Sequence, residues 1–142
     1  MGTEHPLIEQ FALLEPRDRL ELLLDFSRSL PELPPEKKKE MLEGKNKVHE
    51  CASPVFLWVS AIGGKVHIDA YVDPDAPTVK GFVSLLIECF EGMDIAQVSE
   101  FPDDLPRLMG ISQSLGMQRS AGLTGIVNRI KKNAAEILRG QF

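Results

Sequence analysis

The segment Lys65-Val66-His67-Ile68-Asp69-Ala70-Tyr71-Val72 alternates polar and apolar residues without a break. A period of two is the signature of a strand with one face in a core and one toward water. Just ahead of it, Val55 to Ile62 is rich in β-branched and aromatic residues, and Gly63-Gly64 stands between the two stretches. Two glycines at that point predict a tight antiparallel hairpin. Val66, Ile68, Ala70 and Val72 then face the core, and Lys65, His67 and Asp69 face solvent. His67 is accordingly read as a surface residue.

The rest of the chain follows helical periods. Leu7, Ile8, Phe11 and Leu14 form one stripe; Pro16 opens a second, carried by Leu20, Leu23 and Leu24 and continued at Ser27 or Leu30. Pro31-Glu32-Leu33-Pro34-Pro35 ends helical structure, and Lys37-Lys38-Lys39, flanked by Glu36 and Glu40, reads as a solvated face. A helix is predicted from near Thr78 to Glu91, with Val79, Phe82, Val83, Leu86, Cys89 and Phe90 on one side. Pro102, Pro106, Gly110 and Gly116 break residues 94–117 into short helices and turns. A longer helix closes the chain, with Leu123, Ile126, Val127, Ile130, Ala134, Ile137 and Leu138 inside, and Arg129, Lys131, Lys132 and Arg139 outside. There are no internal repeats. Helices, a hairpin, then more helices give an α+β fold, a small antiparallel sheet with helices packed on one face. A 43% hydrophobic chain of 142 residues can bury one sizeable core, so residues 1–142 are read as a single domain.

A net charge of −5 and an isoelectric point near 5.2 offer no general attraction to nucleic acid or to an anionic membrane surface. No apolar stretch approaches the roughly 20 residues that span a bilayer. The start, Met1-Gly2-Thr3-Glu4-His5-Pro6, has no signal-peptide form, and Pro6 breaks the myristoylation pattern. A cytoplasmic protein is expected, with both cysteines reduced to thiols.

Metal ligands are sparse. His5, His49, Cys51, His67 and Cys89 are scattered, and only His49 and Cys51 are close in sequence, which does not close a tetrahedral site. No glycine-rich phosphate loop precedes a helix. Cys89 sits in an apolar helical stripe and reads as a small buried hydrophobe. Cys51 differs. It follows Lys47-Val48-His49-Glu50 and precedes Ala52-Ser53-Pro54 and the apolar run Val55 to Val59. That context places the thiol in a loop at the mouth of a strand, free to meet another molecule. With His49 it could form a thiolate–imidazole pair for a cysteine hydrolase, although no further orienting group is evident. Carrying a sulfur atom asks less: a thiolate, an open approach and a leaving thiol on a partner.

The stretch Asn46-Lys47-Val48 to Cys51-Ala52-Ser53-Pro54-Val55 resembles the cysteine loop of SufE-type sulfur-acceptor proteins. Leu30-Pro31-Glu32-Leu33, Asp73-Pro74-Asp75-Ala76, Val79-Lys80-Gly81 and Arg119-Ser120-x-Gly122 extend the match in order and spacing over nearly the whole chain. The resemblance implies the α+β fold shared with IscU-type scaffolds. It further implies a carrier that activates a cysteine desulfurase of the SufS or CsdA kind, accepts persulfide sulfur and passes it to an iron–sulfur cluster assembly scaffold. The acceptor cysteine corresponds to Cys51, and the aspartate and arginine near its loop to Asp75 and Arg119. Such a carrier is not itself an enzyme and needs no cofactor, pyridoxal phosphate being expected on the desulfurase only; a monomer or weak homodimer is expected. Glu50 stands where the family usually has Gly, and Phe56 where it usually has Trp. The alternatives are a cluster scaffold of the same fold, which would need three cysteines or equivalent ligands, and a cysteine-nucleophile hydrolase. Arg119 could instead be a surface ion-pair or helix-start residue, Asp75 a helix cap or turn residue, and His49 belongs to no motif of the family.

Overall fold

The computed structural model describes residues 5–140. Its centre is the hairpin: β1 (Val55–Ile62) pairs antiparallel with β2 (Lys65–Val72), with Val55 opposite Val72 and Ile62 opposite Lys65. Gly63 and Gly64 turn the chain at φ values of 60° and 81°, a left-handed pair that residues with a Cβ adopt only under strain. Val55, Leu57 and Val59 of β1 and Val66, Ile68, Ala70 and Val72 of β2 are buried together in the core. The alternation read in the sequence is therefore the alternation of the fold.

Two strands are marginal alone, and helices complete the layer. The helices are α1 (Pro6–Leu13), α2 (Pro16–Ser27), α3 (Pro35–Leu42), α4 (Pro77–Phe90), α5 (Ile95–Ser99), α6 (Leu105–Leu108) and α7 (Met117–Leu138). A proline occupies the first turn of α1, α2, α3 and α4, where its missing N–H costs nothing and its fixed φ suits the helix. On the buried face of the sheet α4 packs against β2 and α7 against β1, while α2 covers α4 and α5 lies along α7. The α2–α4 contact is close enough that a Cβ at Gly81 would stand 1.9 Å from the Leu23 carbonyl oxygen; glycine is the residue that fits. Arg19 of α2 is buried and donates to the carbonyls of Phe11, Ala12 and Gly110, so it ties the end of α1 to the turn after α6.

The other face of the sheet is less open than the sequence suggested. Phe56 and Trp58 stack at 6.5 Å between ring centroids and Phe56 meets Tyr71 at 6.3 Å. Trp58 is buried, and its Nε1–H donates to Glu40 Oε1 of α3 at 3.0 Å. Helix α3 was not foreseen, because the prolines at 34 and 35 read as a stop and they also start a helix. His67 and Asp69, expected in water, are half-buried. Leu138 and Leu24, expected on inner faces, are instead exposed.

Short segments flank the hairpin edges. Val48 N–H donates to Val55 O and Leu57 N–H to Asn46 O along β1. Along the start of β2, Val66 N–H donates to Met93 O and Gly92 N–H to Val66 O.

Candidate functional site

The loop that carries Cys51 is closed at its base. Val48 and Val55 are joined across it by a 2.8 Å main-chain hydrogen bond. Asn46 starts the approach at φ 65°, a conformation asparagine tolerates better than most side chains, and its Nδ2 donates to Leu57 O at 2.9 Å. Cys51 N–H donates to Val48 O. The loop thus projects from β1 as a tethered cap.

Helix α7 forms the seat under it. Gly122 and Gly125 face the loop: a Cβ at 122 would lie 3.5 Å from Cys51 Sγ, and one at 125 would lie 2.6 Å from Glu50 Cβ. One turn further, Arg129 Nη2 donates to Lys47 O at 3.0 Å and stands 4.0 Å from Glu50 Oε1. Arg129, expected outside, is half-buried here and pins the loop to the helix. Glu50 has no left-handed φ, so the loop in this chain makes no use of the freedom a glycine would give.

A third wall comes from the turn between β2 and α4. Asp75 N–H donates to Asp73 Oδ1 and Ala76 N–H to Asp73 O, both at 2.9 Å. The N-cap of α4 is Ala76, with no side-chain cap bond, so the Asp75 carboxylate is not used as a helix cap. Arg119 lies in the first turn of α7, where the helix dipole disfavours a cation; among the described residues it has no ion-pair partner. Asp75 and Arg119 are both exposed.

Cys51, Asp75 and Arg119 line one cleft of about 330 Å³, together with Ser53, Gln118 and Gly122. Gln118 was missed in the sequence although it adjoins Arg119; its glutamine chemistry carries no motif. His49 is exposed and does not line the cleft. The Cys51 thiol, placed by the sequence in a loop free to meet another molecule and expected to be sheltered while the protein is alone, is buried, with 8% of Cys51 exposed, because α7 covers one side of the loop. Burial pushes the Cys51 thiol above its ordinary range, and a hydrogen bond from the Ser53 main chain pulls it part of the way back. Cys89 is buried in α4, its Sγ 3.8 Å from His5 Nδ1. Burial, with the Glu88 charge second, pushes its thiol up to about 12. Among the described residues no group of three or more His, Cys, Asp or Glu converges to hold a metal ion. No helix among them is long and apolar enough to cross a membrane.

The fold and cleft define an α+β protein with a loop cysteine sheltered between a hairpin and a long helix. Residues 5–134 match the SufE family, described as the Fe-S metabolism associated domain, and the chain belongs to that family. It is 30% identical to an uncharacterized SufE-like protein of Mycobacterium tuberculosis (strain H37Rv) over 92% of this chain and 90% of that one. It is 28% identical to SufE-like protein 1, chloroplastic/mitochondrial, of Arabidopsis thaliana, over 87% of this chain and 32% of that longer protein. The solution structure of a hypothetical protein from Thermus thermophilus superposes with a TM-score of 0.78 at 31% identity, covering 94% of this chain and 97% of that one.

Proposed function

We propose that this protein is a sulfur carrier that takes persulfide sulfur onto Cys51 from a partner cysteine desulfurase, stimulates that enzyme by clearing its product, and hands the sulfur to an iron–sulfur cluster scaffold. The carrying observation is the placement of Cys51 Sγ beside Gly122 at the wall of a cleft that Asp75 and Arg119 also line. Membership of a family tied to Fe–S metabolism supports the same reading.

The Cys51 thiolate attacks the outer sulfur of a persulfide on the partner. The partner's S–S bond breaks as the new S–S bond to Cys51 forms, the partner cysteine leaves as a thiolate, and it takes up the proton Cys51 released. No electrons are gained or lost overall. The raised Cys51 pKa keeps the free protein in the thiol form, which resists oxidation. A partner that opens the loop relieves desolvation, and the Arg119 cation then favours the thiolate. Pyridoxal phosphate belongs to the desulfurase in this scheme.

The test is mass spectrometry after incubation with a cysteine desulfurase and free cysteine. A gain of one sulfur on the peptide containing Cys51, absent in Cys51→Ser, is expected. Sulfur on Cys89 instead, or on neither cysteine, overturns the assignment.

A further inference from the structure

One stripe of α7 carries the cysteine loop. Gly122, Gly125 and Arg129 are spaced by three and four residues, so they stack along a single face of the helix. Cys51 lies over Gly122, Glu50 over Gly125, and the Lys47 carbonyl meets Arg129. The loop therefore runs antiparallel to the helix, with its base at Arg129 and its thiol about two turns nearer the N-terminus of α7.

Base and tip are held differently. At the base, Val48 N–H to Val55 O at 2.8 Å and Leu57 N–H to Asn46 O at 3.0 Å tie the chain to β1. From His49 to Ser53, among the described residues, the main chain makes one bond to other main chain, Cys51 N–H to Val48 O, and at 3.4 Å it is long. The tip is kept on α7 by the Glu50 side chain, whose stem rests on the bare backbone of Gly125 and whose carboxylate reaches Arg129. Arg129 serves both ends. Its Nη2 donates to Lys47 O on the rigid base at 3.0 Å and stands 4.0 Å from Glu50 Oε1, the outer limit of an ion pair. The guanidinium is a fixed post, and the Glu50 carboxylate is the part that can let go.

Exposure says what releases it. The Arg129 side chain is 20% exposed and the Glu50 side chain 54%, so an approaching molecule meets the carboxylate first. We infer that Glu50 and Arg129 form a catch that holds Cys51 against α7, and that a lysine or arginine of the partner protein opens it by taking the Glu50 carboxylate from Arg129. Exchanging one exposed ion pair for another costs little, and Glu50 immediately precedes Cys51, so lifting one lifts the other. Arg129 acts through Glu50 and is a positioning residue that does not touch the sulfur. The inference rests on the carrier reading above for the identity of the partner, whereas the catch itself belongs to the protein alone.

The test is hydrogen exchange at the Cys51 amide, with iodoacetamide labelling of Cys51, in the full chain across a salt series. Glu50→Gln keeps the stem on Gly125 and removes the charge; it should speed both readouts several-fold and flatten the rise with salt expected of the parent protein. Arg129→Gln should do the same, and Arg129→Lys, which keeps the charge, should restore part of the closure. Thermal melts separate opening from unfolding, and the amide readout does not depend on the acidity of the thiol. At fixed ionic strength a capped peptide of three lysines should open the parent and leave Glu50→Gln unchanged, while its twin of three glutamates opens neither. The catch is overturned if Glu50→Gln and Arg129→Gln exchange and label at the parent's rate, if the parent shows no salt dependence, or if Arg129→Lys is as open as Arg129→Gln. Release by a cation is overturned if the lysine peptide has no effect, acts equally on Glu50→Gln, or is matched by the glutamate twin. None of these measurements uses a desulfurase, so they stand apart from whether Cys51 accepts sulfur.

Discussion

Gly125 of α7 and Glu50 of the cysteine loop are in direct opposition, a Cβ at 125 coming within 2.6 Å of Glu50 Cβ and 3.4 Å of its Cγ. Gly125→Ala must displace the loop or the helix, although alanine would otherwise favour the helix by about 1 kcal/mol. We expect a net loss of about 1–3 kcal/mol, the range for overpacking. Removing the obstacle should reverse the sign: with Glu50→Gly in place, Gly125→Ala should be neutral or stabilising. Urea unfolding of the two single variants and the double variant checks this, and additive losses would show that the loop does not rest on Gly125.

Gly122 gives a contrasting case, since its added Cβ would sit 3.5 Å from Cys51 Sγ, in ordinary contact. Gly122→Ala should fold with stability unchanged or raised by up to about 1 kcal/mol, while iodoacetamide reaches Cys51 more slowly. The two cysteines should separate in the same assay. Cys51 lies on a cleft, whereas Cys89 is buried with its thiol pushed up to about 12, so Cys51 should be alkylated first at mildly alkaline pH. Cys89→Ser should cost about 1–3 kcal/mol through its poorly paired hydroxyl and leave sulfur acceptance intact. Faster labelling of Cys89 in the folded protein would contradict this arrangement.

His67 supplies a pH-dependent contact away from the cleft. Its Nδ1 meets Glu91 Oε2 at 2.9 Å and its Nε2 stands 3.4 Å from Asp69 Oδ2. The hydrogen bond to Glu91 raises its pKa, more than burial lowers it, with the charges of Glu91 and Asp69 adding to the rise. A raised folded-state pKa means the contact stabilises fully below the unfolded value of about 6.5 and is lost as pH rises through the higher folded value. The side chain is more than a third exposed, so the contribution is small. Proton NMR should place the His67 midpoint above the ordinary histidine range, and Glu91→Gln should lower it. The stability gap between the two proteins should narrow with rising pH; a gap independent of pH would exclude a charged His67 as its source.

The hairpin was legible because a period of two and a pair of glycines are local signals. Helices α4 and α7 were legible for the same reason, their apolar stripes being long. Helix α3 was not: none of its residues is buried, so it has no stripe, and its first-turn proline looks like a breaker when read alone. What covers Cys51 was also hidden, since Gly122 and its neighbours on α7 are remote in the chain and signal nothing by their own chemistry. Asp75 and Arg119 became candidates through the family resemblance, not through any pattern of charge. The fold then placed both on the cysteine cleft and left His49 outside it.

Asp75 and Arg119 lend themselves to a test that separates docking from folding. Both are exposed, Asp75 makes no cap bond to α4, and Arg119 occupies a helix position where a cation is unfavourable. Neither residue therefore does much for stability, and reversing an exposed charge shifts folding by only about 0–1 kcal/mol. If the cleft is where a desulfurase docks, Asp75→Arg and Arg119→Glu should each weaken binding or activation several-fold, chiefly through association rate and salt dependence. Cys51→Ser should retain binding and lose sulfur acceptance, because the hydroxyl keeps the size of the loop residue but forms no persulfide. Titration calorimetry against the desulfurase, with thermal melts in parallel, reads both effects. Unchanged binding and unchanged activation in both charge variants would move the docking face away from this cleft, even with Cys51 still accepting sulfur.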